Sequence, residues 1–565
     1  MVTVISGGTV FNPFLLRFEE VDVVVGDDGR VVHVGDSSPF KDAAIHDVRG
    51  MYVVPGLIDI HFHIESSFLT PPALSVELVR HGTLTIVADP HEIANACGVE
   101  GVLKLVESSR GLPVTAFFQI PSCVPATEFE DGGHRFGLSE WAKLAELEEV
   151  IAVGEVMCYE RLLKGDEELA KLIELGLRRG LVIEGHCPRF RGLKLSLYAY
   201  RGPTSDHTQM DADLVVERVR KGVFVEIQEK SLSEEVVDVL NELPPGTYAL
   251  VTDDVDAAKL ISEGHLDHLI RRAVSLGLGV EKALHAATLS PAVRMGLRDR
   301  GALTPGRVAD AVVVSDPERF DVVKVFKEGR LVYDRDRGVL VTPVLSCRRW
   351  FPESFFSSVK VRYLTSEDFR VRAPVGEGPV RVNVIEVLPN TTFTRRVVEV
   401  VDVVNGEVAW GGRGLALVAV FNRYGGGRYS VGLVMGAMAR GAVATTYSHD
   451  SHNLLVLGVD VSDLVTAANY VIRSQGGIAV ASGGRVVASL DLPVGGILSC
   501  GTAEEVGGRL RGVRDALEEL GYKHFDPLKS ITTLTLTVSP ELRITPRGLF
   551  DVSRNRLIGM FEGSY

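Results

Sequence analysis

Short apolar, β-branched runs alternate with longer amphipathic ones through the middle of this chain. Runs of the first kind, bounded by turn residues, read as strands; apolar positions recurring every three or four residues read as helices. Strand candidates cover 53–60, 83–88, 114–120, 151–156 and 181–183, then a short piece ending at Ser205, then 223–228 and 248–252. Helical runs lie between most of them, among them 74–80, 139–147, 167–177, 211–221 and 260–276. Eight strands alternating with helices over about 240 residues predict an α/β fold, a (β/α)8 barrel of the TIM type. The sixth strand carries the faintest pattern of the eight.

The flanks have a different texture. Strand-like pieces at 2–5, 21–25 and 31–34 are punctuated by Gly-Gly and Asp-Asp-Gly, and the same texture returns over 301–345. Two β-rich pieces around a longer segment predict one small β-sandwich built from both, with 1–52 as its first part, 53–300 as the barrel and 301–345 as its second part. An aromatic-rich linker, Arg349 to Phe356, then leads to an additional α+β domain over 346–565. Its Gly425-Gly-Gly427 lacks the strand-to-helix context of a phosphate loop and reads as a turn.

Composition narrows the class. A chain of 565 residues, 45% hydrophobic and 24% charged, has the material for several globular domains. The net charge of −14 and the lack of a basic stripe argue against nucleic acid as a partner. An acidic cytoplasmic enzyme is the default. No apolar run is long enough for a membrane span, and the first residues carry no signal-peptide pattern. Six cysteines lie far apart without Cys-x-x-Cys spacing, which predicts free thiols in a reducing compartment rather than a disulfide framework. Four glutamines in the whole chain fit a thermophile's avoidance of labile amides.

The candidate chemistry starts at His61 and His63, which close the first barrel strand. Residues two apart on a strand point the same way, so both imidazoles can reach one point. Alone, the pair also fits the solvated face of an edge strand. In a (β/α)8 enzyme, however, catalytic groups stand at the C-terminal strand ends. Those ends here carry Glu155 after strand four, His186 after strand five, His207 after strand six and Asp253 after strand eight. Four histidines and two carboxylates predict a binuclear metal centre: His61, His63 and Asp253 on one ion, His186 and His207 on the other, and Glu155 between them. Zn, Fe and Mn all suit such a mixed donor set. His91, just past strand two, faces the same mouth as a catalytic or substrate-contacting group, or as a partner to a ligand. His449 and His452 either cover that mouth, bind another metal or form a structural polar cluster. Gly264-His265-Leu-Asp267 and His268 fall on a helix after strand eight, where they support the barrel.

These residues also carry a resemblance. His61-Phe-His-Ile-Glu-Ser-Ser67, Val87-Ala-Asp-Pro-His-Glu-Ile-Ala-Asn95, Ser122-Cys-Val-Pro-Ala-Thr127 and Ala287-Thr-Leu-Ser-Pro291 are similar to segments of bacterial and archaeal adenine deaminases. So are Gly264-His-Leu-Asp267, His449-Asp-Ser-His-Asn453 and Leu492-Pro-Val-Gly-Gly496. That family is a branch of the amidohydrolase superfamily, and the likeness reaches into the third domain. It implies hydrolysis of adenine to hypoxanthine and ammonia in purine salvage, with two divalent ions, Mn or Fe. It also implies Glu155 as the bridging ligand in place of a carboxylated lysine, and a homo-oligomer, dimer or tetramer. Two cations acidify a shared water so that hydroxide is available near neutral pH. Asp253 is then the expected proton carrier from water to the leaving amino group, and Asp254 is a candidate purine contact or loop cap. Three departures surround the pocket: Gln228-Glu-Lys-Ser231 stands where the family has Arg-Glu-Gly-Ser, Thr208 where it has Glu, and Cys187 where it has Ala. They keep another aminopurine or a cyclic amide or amidine as the alternative substrate. A catalytically inactive relative would have lost ligands, and none is lost here.

Overall fold

The computed structural model describes residues 2–341 and 343–562. Eight parallel strands form the barrel: Leu57–Phe62 (β1), Thr83–Ala88 (β2), Thr115–Ile120 (β3), Val150–Val156 (β4), Val182–Gly185 (β5), Ser205–Asp206 (β6), Phe224–Ile227 (β7) and Tyr248–Leu250 (β8). Every residue of β1 and β2 is buried, as expected of strands covered on both faces. β1 to β5 pair in sequence order, and β6 to β8 form a second run. The Thr204 amide joins the two runs by donating to the Ile183 carbonyl at 3.0 Å. The barrel closes where Phe62 bridges Asp253.

Two predicted elements divide. The run 53–60 is not one strand. Tyr52–Pro55 pairs with Thr9–Asn12 and Ala311–Val314 in the sandwich, and β1 begins only after Gly56, whose amide donates to the Asp310 carbonyl at 2.8 Å. Continuous hydrophobicity hid the break, because both strands are buried. The run 260–276 splits into the helices Ala257–Ser262 and Leu266–Ser275, because Gly264 between them takes a φ of 110° that ends the first.

The sandwich draws on both flanks. A four-stranded sheet runs Val31–Gly35, Asp22–Val25, Thr3–Ser6, Ala44–Asp47. Opposite it, a seven-stranded sheet joins Thr9–Asn12, Arg17–Glu20 and Tyr52–Pro55 to the four strands between Ala311 and Val339. Ile5, Val23, Val53, Val313 and Phe326 fill the space between.

Beyond the linker, a nine-stranded mixed sheet spans Gly378 to Asp491. Its residues alternate between two buried faces. Ala442 and Ala444 pack with Leu464 and Ala467 of the helix Val461–Arg473, while Val443 faces the core shared with the barrel. The helix Ala503–Glu519 leans on Ala257–Ser262, and the segment after Pro527–Thr532 crosses the open end of the barrel. Gly425-Gly-Gly427 lies in the turn between Leu415–Phe421 and Tyr429–Met435.

The expectation of six free thiols is overturned. Cys123 pairs with Cys158 and Cys347 with Cys500, while Cys97 and Cys187 stay free and buried. Separations of 35 and 153 residues carry no local signal of pairing. Disulfides also occur inside cells of hyperthermophiles, so the pairing does not by itself assign a compartment. Among the described residues no helix is long and apolar enough to cross a membrane.

Candidate metal centre

Strand alternation aims Asp59, His61 and His63 into the barrel mouth. The Asp59 carboxylate accepts the His61 amide at 3.2 Å and the Thr252 hydroxyl at 2.6 Å, which ties the end of β1 to the end of β8. Burial pushes that carboxyl up to about 7. Asp253 then turns its side chain inward from a left-handed backbone, φ 60°, a conformation an aspartate tolerates at some cost. Its amide donates to the His61 carbonyl at 3.0 Å and its carbonyl accepts the His63 amide at 3.2 Å, so the unusual geometry is held from both sides.

The structure brings all six predicted donors together. Glu155 sits at their centre. Its Oε1 lies 3.4 Å from His63 Nε2 and 4.0 Å from His61 Nε2; its Oε2 lies 2.7 Å from His186 Nδ1 and 3.2 Å from His207 Nε2. Asp253 Oδ1 lies 3.3 Å from His63 Nε2 and 3.7 Å from His61 Nε2. The His61 and His207 rings stack with centroids 3.7 Å apart. Both ring nitrogens of His61 are buried without a hydrogen-bond partner, an expensive arrangement for a polar group with no ligand of another kind. Burial together with the charge of His207 holds the His61 ring down to about 3, so it stays neutral with a lone pair to give.

The donors of His61, His63 and Asp253 lie within 4.8 Å of one another, as do those of His61, Glu155 and His207. Two overlapping imidazole–carboxylate sets with orphaned nitrogens fit a pair of divalent cations.

Asp89 is the neighbour that sequence reasoning passed over. Its carbonyl lies 3.1 Å from His63 Nδ1, which places the ring proton there and frees Nε2 for the centre. Its carboxylate accepts the Glu155 amide at 3.0 Å. Residue 154 must be glycine for that contact, since a Cβ there would stand 2.3 Å from Asp89 Oδ2. The motif containing Asp89 was visible, but only its histidine drew notice.

His91 stands with its ring 4.8 Å from that of His63, Nδ1 toward Asp89 at 3.5 Å and Nε2 toward Glu92 at 3.7 Å. Burial alone would lower it; Asp89 and Glu92 instead carry it up to about 10. Asp254 is no loop cap. It accepts the Ser66 hydroxyl at 2.6 Å and pairs with Lys529 of the C-terminal domain at 3.1 Å. Lys529 had no signal in the sequence, being 275 residues from its partner. Lys230 points its ammonium at Asp253 Oδ2, 3.4 Å away, and the Gln228 amide donates to the His207 carbonyl. His265 bonds Thr83 and Thr252 behind the strand ends, and Asp267 accepts from His81. A cavity of about 640 Å³ opens over the centre, walled by the barrel and by His449, Lys529 and Leu536 of the last domain.

Comparison with known proteins matches residues 52–332 to the amidohydrolase family and residues 391–556 to the adenine deaminase C-terminal domain. The chain is 41% identical over 569 residues to adenine deaminase 2 of Shouchella clausii, covering 99% of this chain and 98% of that one. It is 39% identical over 571 residues to an adenine deaminase of Clostridium perfringens, covering 99% of each. Among solved structures, a β-aspartyl dipeptidase from Fervidobacterium islandicum AW-1 aligns with a TM-score of 0.45 and 19% identity, over 60% of this chain and 99% of that one. On its near-complete alignment with these relatives, C-terminal domain included, the chain belongs to the adenine deaminase family of the amidohydrolase superfamily.

Proposed function

We infer that this chain hydrolyses adenine to hypoxanthine and ammonia. The observation that carries the reading is the six-donor centre of His61, His63, Glu155, His186, His207 and Asp253, roofed by a domain of the adenine deaminase type. Mn or Fe suits these donors, and Zn is compatible. When bound, the two ions supply an acidified water as nucleophile at neutral pH.

The protein's own groups do the rest. Asp253 is placed to take the proton of the attacking water and return it to the 6-amino nitrogen, so that the C6–N bond breaks with ammonia as leaving group. Asp254, fixed by Ser66 and Lys529, presents a carboxylate to the purine edge. His91 stands beside His63 with Nδ1 toward Asp89 and supports the centre from the mouth of the barrel. The roof of Thr533, Leu536 and Val538 limits water in the cavity. The reaction serves purine salvage in the cytoplasm, and the chain works as a homo-oligomer, a dimer or a tetramer.

Lys230 favours a second reading. Its ammonium beside Asp253, where relatives of this type have glycine, fits a substrate with an additional oxygen near the reacting carbon, such as another aminopurine. The test is ammonia release by Mn-loaded protein from adenine, set against other aminopurines and cyclic amides. Release from adenine at the highest kcat/KM is expected. Release from another heterocycle alone would overturn the adenine reading and leave the centre standing.

A further inference from the structure

A second cluster of metal-type donors lies outside the six. The helix His91–Ser109 begins with His91 and Glu92, and the loop after the strand Ala442–Thr445 carries His449, Asp450 and His452. The two segments meet where the C-terminal domain closes on the barrel. His449 Nδ1 lies 2.7 Å from Glu92 Oε1 and 3.6 Å from Asp450 Oδ1; His91 Nε2 lies 3.7 Å from the same Glu92 oxygen. The donor atoms of His91, Glu92 and Asp450 fall within 4.8 Å of one another.

Hydrogen bonding is incomplete there. Glu92 and Asp450 are 1% and 2% exposed, and Asp450 Oδ2 has no hydrogen-bond partner. Among the described residues neither carboxylate is paired with a lysine or arginine. Leaving that oxygen buried and unpartnered is costly, and a cation would satisfy it.

His452 sets the geometry. Its Nδ1 accepts the Ser448 amide at 3.3 Å, which puts the ring proton on Nε2, the atom that faces Glu92. It therefore orients Glu92 by donating to it and is not itself a donor to a metal. One imidazole nitrogen, from His91, and two carboxylates remain on one point, with His449 bonded to Glu92 beside them.

We propose that a further divalent cation, distinct from the binuclear pair, binds between the barrel and the C-terminal domain on His91, Glu92 and Asp450. The mixed imidazole–carboxylate set suits Mn, Fe or Zn rather than Ca or Mg. Its role is to lock the roof domain onto the barrel.

The test is a crystal of the full chain soaked in MnCl2, with anomalous scattering recorded at the manganese edge and metal counted per chain by mass spectrometry. Three peaks are expected, one of them between Glu92 and Asp450. Asp450→Asn should remove that peak, keep the two at Glu155, and lower the count from three to two. Absence of density between Glu92 and Asp450 in the wild type overturns the proposal, whether or not the variant folds. So does a third peak that survives Asp450→Asn. Two peaks at Glu155 without the third would defeat this inference alone, since neither measurement depends on adenine turnover.

Discussion

At the scale of single residues, the centre depends on a few side chains aimed by unusual backbone. Asp253 shows this most clearly, because it faces His61 and His63 from a left-handed φ of 60°. Asp253→Asn keeps the shape but removes the base and one anionic donor. It should lower kcat by about 10²- to 10⁴-fold and reduce bound Mn per chain, both read on metal-loaded protein. Retained turnover would remove Asp253 from its assigned role. The six strand-end donors were legible in the sequence because the barrel rule says where to look, and strand alternation says which residues point inward. Asp89 was not, because it works partly through its backbone carbonyl, and a carbonyl leaves no mark on residue type. Lys529 was not either, because a pair closed across two domains has no spacing to recognise.

Between residues and domains, elements are pinned by buried polar contacts at their ends. Asp267 at the start of Leu266–Ser275 accepts from His81 Nδ1 at 3.0 Å and from Arg271 at 2.8 Å, locking that helix to the end of Pro71–Arg80. Burial opposes its ionisation, yet His81 and Arg271 hold it down to about 2 from 3.8. Its contribution, roughly 2.5 kcal/mol, is present above pH 3.8 and lost as pH falls toward 2. His81 is shifted the other way: burial opposes its charge and Asp267 outweighs it. That contribution is complete below 6.5 and fades as pH rises through the raised value. The two windows overlap from about pH 4 to 6.5. Urea titrations of Asp267→Asn should show the largest loss of stability there, and a loss independent of pH would refute the pairing. Most barrel elements could be read from hydrophobic period. The failures came where period is silent: at Gly56, where two buried strands abut, and at Gly264, where one amphipathic stripe continues through two helices.

For the whole molecule, three bodies are tied by long-range links, among them Cys347–Cys500, the Lys529–Asp254 pair and the Glu92–histidine cluster. Unfolded without reductant, the chain should expose two reactive thiols, Cys97 and Cys187, and all six only after reduction. Six thiols without reductant would show the bridges are not formed. Reduction should also cost up to about 5 kcal/mol for a loop as long as that of Cys347–Cys500, seen as a lower melting temperature. The division of the chain into flanks, barrel and a final domain was legible from changes in texture; the closing of the last domain over the barrel was not, since interdomain contacts follow no local period. The shared sandwich has one more consequence, and it concerns synthesis. Val54 must wait for Val312 before its sheet is complete, a gap of roughly 260 residues, or about 13–50 s at the ribosome's pace of 5–20 residues per second. For that interval Tyr52–Pro55 offers a bare hydrophobic edge to any other nascent strand nearby. Crowding on the ribosome is the hazard this architecture creates for itself.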